Sequence, residues 1–276
     1  MARLIRSRRP HQLAAATAVL VTLAGAGWLV RHPDLGDLLR ASFQFRADDP
    51  RSGHIGPSVV TVAGGRYVAL GRDESATVAW TSTDAVHWRQ APLPGPAGAL
   101  VRQVTAAPDG RLVAIGAAAF VGAEPGAALA WVSTDLGDTW TSTEVTGGPA
   151  TVSLTSVLHT GGRFVAFGSA DGRLDAPAVA LTSPDGLRWD LIETPADMRH
   201  VVTAVAVPDG GVLAFSGQGS VAQRPDQQCA TAWRWDGAQW SAASLGCDGL
   251  PGAATVLADG RVAASFWSTL FLTRRG

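Results

Sequence analysis

The chain of 276 residues has no lysine, a single tyrosine, two methionines and two cysteines. With arginine as the only strongly basic side chain and a formal net charge of −1, it offers no basic stripe for a nucleic acid to follow. Cys229 and Cys247 are too few for a cysteine-built metal centre, and no nearby His pair completes a zinc set. No Ser-His-Asp motif, phosphate-cradling Gly loop or His/carboxylate metal spacing is present, so neither a cofactor nor a metal is expected. Long hydrophobic runs are equally scarce. The one found, residues 13–30, reads LAAATAVLVTLAGAGWLV, 18 residues without a charge. Before it, residues 1–12 carry Arg3, Arg6, Arg8 and Arg9 and no acid.

A basic segment ahead of an apolar one is an export signal, and 18 residues is near the lower limit for crossing a bilayer. Two fates follow. The segment stays as a transmembrane anchor with Trp28 at the far interface, or it is cleaved near Ala26 after the small residues Ala24-Gly25-Ala26 and the protein is secreted. The anchor is the favoured expectation. The positive-inside rule puts the remainder outside the cytoplasm in either case. No cysteine follows the run closely, which excludes a lipoprotein anchor. Residues 31–40 read as a linker and residues 41–276 as the folded domain.

What the domain has in abundance is repetition. The octet Ser133-Thr134-Asp135-Leu136-Gly137-Asp138-Thr139-Trp140 combines side-chain oxygens that can cap backbone N–H groups in a tight turn, a Gly suited to positive φ, and a large apolar anchor. Shorter forms occur at Ser82–Trp88, with Asp84 and Trp88, and at Ser183–Trp189, with Asp185. A fourth, Arg234–Trp240, keeps Asp236, Gly237 and Trp240 without the Ser. A second landmark, a Gly turn followed by an apolar run, precedes each: Gly64–Gly71, Asp109–Gly116, Gly161–Gly168 and Asp209–Phe215, with a fifth at Asp259–Ser265. Measured from Arg66 through positions 111, 163 and 211 to Arg261, the steps are 45, 52, 48 and 50 residues. A period near 50 with several short strands per unit predicts a propeller or similar array rather than a sandwich or barrel.

Each unit reads as four antiparallel strands with hairpin turns at the Gly pairs, and the second strand is apolar on both faces. The fifth unit ends after three strands. The alternating segment Ala41-Ser42-Phe43-Gln44-Phe45-Arg46-Ala47 is expected to supply its missing fourth strand and close a five-bladed all-β propeller. A four-bladed ring with extra terminal strands is the alternative.

The pattern Ser-x-Asp-x-Gly-x-Thr-Trp resembles the Asp-box, or bacterial neuraminidase repeat, of sialidase-like β-propellers. The resemblance covers residues 41–276 and is structural, because in that family the Asp-box turns sit on the rim opposite the active site. Working sialidases have six blades, three Arg that grip a carboxylate, a Tyr nucleophile with a Glu partner, and an acidic general acid/base. Here the sole tyrosine, Tyr67, takes the place of Leu112 and Phe164 in neighbouring units and is expected in the core. The resemblance therefore implies a non-catalytic member.

A ligand would meet the other rim, built from the loops between second and third strands and from the connections between units. Those loops contribute Arg72, Asp73, Glu74, Glu124, Asp171, Arg173, Asp175, Arg224, Asp226, Gln227 and Gln228, of which Arg72, Asp73, Glu74, Asp171, Arg173, Asp175, Arg224 and Asp226 are the candidate ligand-binding residues. The connections add His54, Arg102, Asp197, Arg199 and His200. Cys229 and Cys247 flank the fourth turn at nearly equal distances, a spacing compatible with a disulfide across a hairpin. The expected function is an exported, membrane-tethered, monomeric binding module for an envelope protein or a glycan. The alternatives are a divergent glycoside hydrolase using loop carboxylates and a structural or assembly factor.

Overall fold

The computed structural model describes residues 56–73, 76–119, 126–173, 175–218, 228–247, 249–266 and 269–273. The basic segment, the apolar run, the linker and the 41–47 strand therefore lie outside the described residues, as do Glu74, Glu124, Arg224, Asp226, Gln227 and His54. No helix among the described residues is long and apolar enough to cross a membrane.

The architecture is all-β, with five antiparallel sheets in chain order. The first holds β1 (Gly56–Ala63), β2 (Arg66–Asp73), β3 (Ala76–Ser82) and β4 (Arg89–Pro92). The second holds β5 (Leu100–Ala106), β6 (Leu112–Ala117), β7 (Ala128–Ser133) and β8 (Thr141–Glu144). The third holds β9 (Ser153–Thr160), β10 (Arg163–Ser169), β11 (Ala178–Ser183) and β12 (Asp190–Ile192). The fourth holds β13 (Val201–Ala206), β14 (Val212–Gln218), β15 (Cys229–Trp235) and β16 (Trp240–Gly246). Among the described residues the fifth has three strands: β17 (Pro251–Val256), β18 (Val262–Phe266) and β19 (Thr269–Leu272).

Within each sheet the strands lie side by side in sequence order, as short hairpin turns require. First strands pack on first strands from one sheet to the next, β1 on β5, β5 on β9, β9 on β13 and β13 on β17. The sheets are thus arrayed about the edge that carries their first strands. The apolar clusters lie between neighbouring sheets. Val68 and Leu70 meet Val104 and Trp131; Val113 and Ile115 meet Leu154 and Phe164; Phe167 and Ala180 meet Val212 and Trp233; Phe215 and Ala232 meet Val262 and Phe266. The second strands are apolar on both faces because both are covered. Tyr67 differs from the expectation. It holds the same register position as Leu112 and Phe164, each opposite the Ser of its turn. Yet it is only half-buried, while those two are fully buried.

Near the start of each first strand the register against the second strand shifts by an extra residue. In the first three sheets the bulge pushes a carbonyl toward Gly71, Gly116 or Gly168, leaving about 2 Å between that oxygen and the place a Cβ would occupy. No larger residue fits there without moving the backbone.

Candidate functional site

Strand direction defines two rims. The turns between first and second strands and those between third and fourth strands lie on one; the second-to-third loops and the connections between sheets lie on the other. We call these the turn rim and the loop rim.

On the turn rim, the hydroxyl of Ser133 donates to Asp135 at 2.8 Å and accepts the Gly137 N–H at 2.9 Å. Asp135 accepts the Thr139 N–H at 2.9 Å and the Thr139 hydroxyl. Trp140 closes the turn by donating its indole N–H to the Gly137 carbonyl at 3.1 Å. The same frame recurs with one residue fewer. Ser82 and Asp84 accept the N–H groups of Ala85, Val86 and His87 at 2.8–2.9 Å, and Trp88 donates to Ala85. Ser183 and Asp185 accept those of Gly186, Leu187 and Arg188 at 2.7–3.0 Å, and Trp189 donates to Gly186. In the fourth turn Trp235 replaces the Ser and stacks on Trp240 at 6.1 Å, while Asp236 still caps Ala238 and Gln239.

These hydrogen bonds favour ionised carboxylates. The His87 side chain and the N–H groups of His87 and Val86 hold Asp84 well below the usual carboxylate range. At Asp135 and Asp185 burial pushes upward, but the capping hydrogen bonds outweigh it and both carboxyls are lowered. The second, third and fourth turns also lean on the preceding sheet. Asp138 is paired with Arg66 at 2.6 Å and with Arg89. Arg111 donates to the Pro184 carbonyl at 3.0 Å, and its guanidinium lies 5.5 Å from the Phe164 ring centroid. Trp240 donates to the Glu193 carbonyl at 2.9 Å. The turn residues singled out from sequence cap their own turns, and Trp240 with the neighbouring Asp138 and Arg111 joins adjacent sheets.

Among the described residues of the loop rim the structure gathers one group. Asp171, Arg173 and Asp175 share the loop between β10 and β11, and all three are exposed. Arg173 makes a two-pronged pair with Asp175, at 3.1 and 3.0 Å, and its N–H is accepted by Asp171 at 3.0 Å. The hydrogen bond from Arg173 holds the Asp175 carboxyl below its ordinary value. Beside this loop, in the connection from β12 to β13, His200 is buried with its Nδ1 2.7 Å from the Ser169 hydroxyl. Burial lowers its pKa, with the Asp171 charge pulling the other way. This Ser–His–acid group is absent from the sequence reading, since its members lie 31 residues apart and follow no motif. Ser169 is fully buried. The pair ties the end of β10 to the connection.

Arg72 and Asp73 sit at the end of β2 in a different sheet, and Asp73 accepts the Gln90 amide at 2.9 Å. The expected eight-residue set is therefore one cluster of three plus a separate pair among the described residues. Arg102 is the exposed bulge residue of β5. The equivalent bulge residues Ser58 and Thr155 donate hydroxyls to carbonyls of the next first strand, Val101 and Val201. Cys229 and Cys247 form a disulfide that joins the loop-rim ends of the fourth sheet's last two strands. No group of three or more metal-ligating side chains occurs among the described residues.

No family model matches the chain, and no curated protein matches it. Solved structures do. An α-L-arabinanase from Penicillium chrysogenum, complexed with arabinobiose, aligns with a TM-score of 0.55 and 15% identity over 78% of this chain and 76% of that one. A GH93 α-L-arabinofuranosidase of Fusarium graminearum gives 0.56 and 11% over the same shares. Virginiamycin B lyase from Staphylococcus aureus gives 0.54 and 12%, over 79% of this chain and 70% of that one. At such identities the likeness is one of fold alone. Together with five radially packed antiparallel sheets, it makes the described part of this chain a β-propeller.

Proposed function

We propose that this chain is an extracytoplasmic, membrane-tethered, non-catalytic binding module. Its loop rim, centred on Asp171, Arg173 and Asp175, docks an envelope protein or a glycan. The turns belong to the Asp-box type, as structural couplers. The observation that carries this reading is how Asp73, Asp171 and Asp175, three described loop-rim carboxylates, are occupied. Asp175 is locked to Arg173 and held ionised, the reverse of what a glycosidase general acid needs. Asp171 caps its own loop, and Asp73 holds Gln90. Charged side chains held in a defined array suit recognition by hydrogen bonds. The apolar segment at 13–30, preceded by four arginines, supports the tether.

The test is a pull-down from envelope extracts together with a glycan array, using the parent chain and Arg173→Ala. Binding that falls at least about tenfold in the variant, with an unchanged melting temperature, supports the module. The second reading, a divergent glycoside hydrolase, draws on the names of the α-L-arabinanase and α-L-arabinofuranosidase neighbours. Turnover of any member of a glycoside panel that is lost in Asp171→Asn or Asp175→Asn would replace the binding reading.

A further inference from the structure

The loop from β10 to β11 carries the charged array of the loop rim, and His200 seats that loop against its neighbours. The His200 carbonyl accepts the Gly217 N–H of β14 at 3.2 Å. On the other side its own N–H donates to the Ala176 carbonyl at 3.1 Å. Its ring reaches back to Ser169 at the end of β10, with 2.7 Å between Nδ1 and Oγ. From Ala176 a run of hydrogen bonds leads to the array. The Ala176 N–H donates to the Arg173 carbonyl at 3.1 Å, and the Arg173 N–H donates to the Asp171 carboxylate at 3.0 Å. The Arg173 guanidinium in turn grips Asp175.

A neutral imidazole suits this seat. His200 and Ser169 are both buried, and a neutral ring can either give or take the hydrogen bond they share. An imidazolium must donate from both ring nitrogens, and its charge would stand where water is excluded. The packed strands offer it little help. β11, β13 and β14 contain no titratable side chain, and the one in β10 is Arg163 at the strand's opposite end. On the connection itself Glu193 and Asp197 are exposed, and Arg199 donates to the Ala196 and Met198 carbonyls. In the loop Arg173 and Asp175 hold each other, and Asp171 is the charge that pulls on the ring. Met198 is fully buried in the cluster between the third and fourth sheets, which holds the connection in place. Asp171 and Arg173 are exposed, so the loop is the side that gives way.

We propose that His200 is a pH-sensitive latch on the loop rim: when its ring takes up a proton, the Asp171 carboxylate swings to it, gives up the Arg173 N–H, and the charged array comes apart. Its effect on a ligand rests on the binding-module reading above, whereas the latch itself does not. Burial holds the pKa of the ring below its ordinary 6.5 while the loop is closed, with Asp171 pulling upward. Once the loop opens, the ring meets water and its pKa recovers to about 6.5. The closed loop is therefore at full strength above about pH 6.5 and weakens as pH falls, until the closed-state pKa is reached. One proton changes the ratio of closed to open loop by up to about tenfold per pH unit in that window. A ligand held by the array is retained near neutrality and released in acid.

The test is hydrogen exchange of the full chain in detergent micelles at about pH 7.5 and about pH 5, each amide rate being divided by the unfolded-chain rate at the same pH. Protection of the Ala176 and His200 amides should fall about tenfold at the lower pH, while β6 stays protected. Equal protection at both pH values overturns the latch without any variant, which covers the case in which a variant fails to fold. In His200→Gln, whose amide can still bond Ser169 but takes no charge, the fall should vanish; a fall that persists there also refutes the latch. Asp171→Asn should move the midpoint of the fall to lower pH, a change that a merely structural tie between His200 and Ser169 would not produce. An unmoved midpoint removes Asp171 from the mechanism. The pull-down and glycan array described above are then repeated at both pH values. Arg173-dependent binding should weaken about tenfold in acid in the parent chain and hold in His200→Gln; Arg173-dependent binding indifferent to pH overturns the link from latch to ligand. Absence of Arg173-dependent binding at either pH refutes the module reading and that link together, while exchange still decides the latch.

Discussion

Gly186 and Ala85 occupy the same place in two turns, and the difference between them gives the sharpest test of how the turns couple the sheets. Both residues donate their N–H to the turn Ser, and both accept the closing Trp indole. Gly186 has φ +82°, and a Cβ there would come within 2.5 Å of Val113 Cγ2 and 2.9 Å of Val132 Cγ2 in the preceding sheet. Gly186→Ala therefore carries two costs: about 1 kcal/mol or more for an L-residue in the left-handed region, and about 1–3 kcal/mol for overpacking. The sum, about 2–4 kcal/mol, lowers the melting temperature by roughly 2–4 °C per kcal/mol for a domain of this size. Ala85 already adopts φ 61°, so Ala85→Gly should lie within about 1 kcal/mol of neutral. The assay is thermal and urea unfolding of both variants and of Gly186→Ala in a Val113→Ala background. The smaller neighbour should recover the overpacking part, a coupling of about 1–2 kcal/mol. A cost for Gly186→Ala below about 0.5 kcal/mol, or the same cost in both backgrounds, refutes the wedge.

Other outcomes follow from the same geometry. Ser133→Ala removes a buried hydroxyl that caps Gly137 and orients Asp135, and should destabilise by about 1–3 kcal/mol in urea titrations. Reduction of Cys229–Cys247, which spans 18 residues, should lower stability by about 3 kcal/mol on the chain-entropy account, seen as a drop in melting temperature with a reductant. His200 has a folded pKa below its ordinary 6.5, so the unfolded chain takes up its proton first as pH falls. Its contribution is complete above pH 6.5 and declines below it, and His200→Gln should flatten that limb of the stability–pH curve. The turn carboxylates Asp84, Asp135, Asp185 and Asp236 have lowered folded pKa values, so their contribution holds above about pH 4 and is lost in acid.

The repeat made most of the fold legible. Local chemistry alone places the turns, because Ser, Asp and Gly at fixed offsets can satisfy backbone N–H groups only in a tight reversal, and the Trp after them must start a buried strand. The Gly near the end of the second strand in the first three sheets was visible as part of the motif, though not its reason, the carbonyl of a bulge one strand away. The candidate site was legible only in part. Asp171, Arg173 and Asp175 were findable because they share one short loop. The neighbouring Ser169–His200 pair was not, because its members come from different elements and carry no spacing rule. Tyr67 was expected in the core from its place in the repeat. The actual depth there depends on what covers the first sheet, which the repeat does not encode.

Sequence by itself determined the strand order within each unit and the chemistry of the turns, since both are set by contacts within about ten residues. Tertiary structure alone decided that the second, third and fourth turns lodge against the sheet before them, that Arg173 is spoken for by Asp175, and that His200 is buried beside a serine. Those facts arise where separate sheets meet. No local pattern records them, because burial and charge pairing depend on which surfaces the packing brings together.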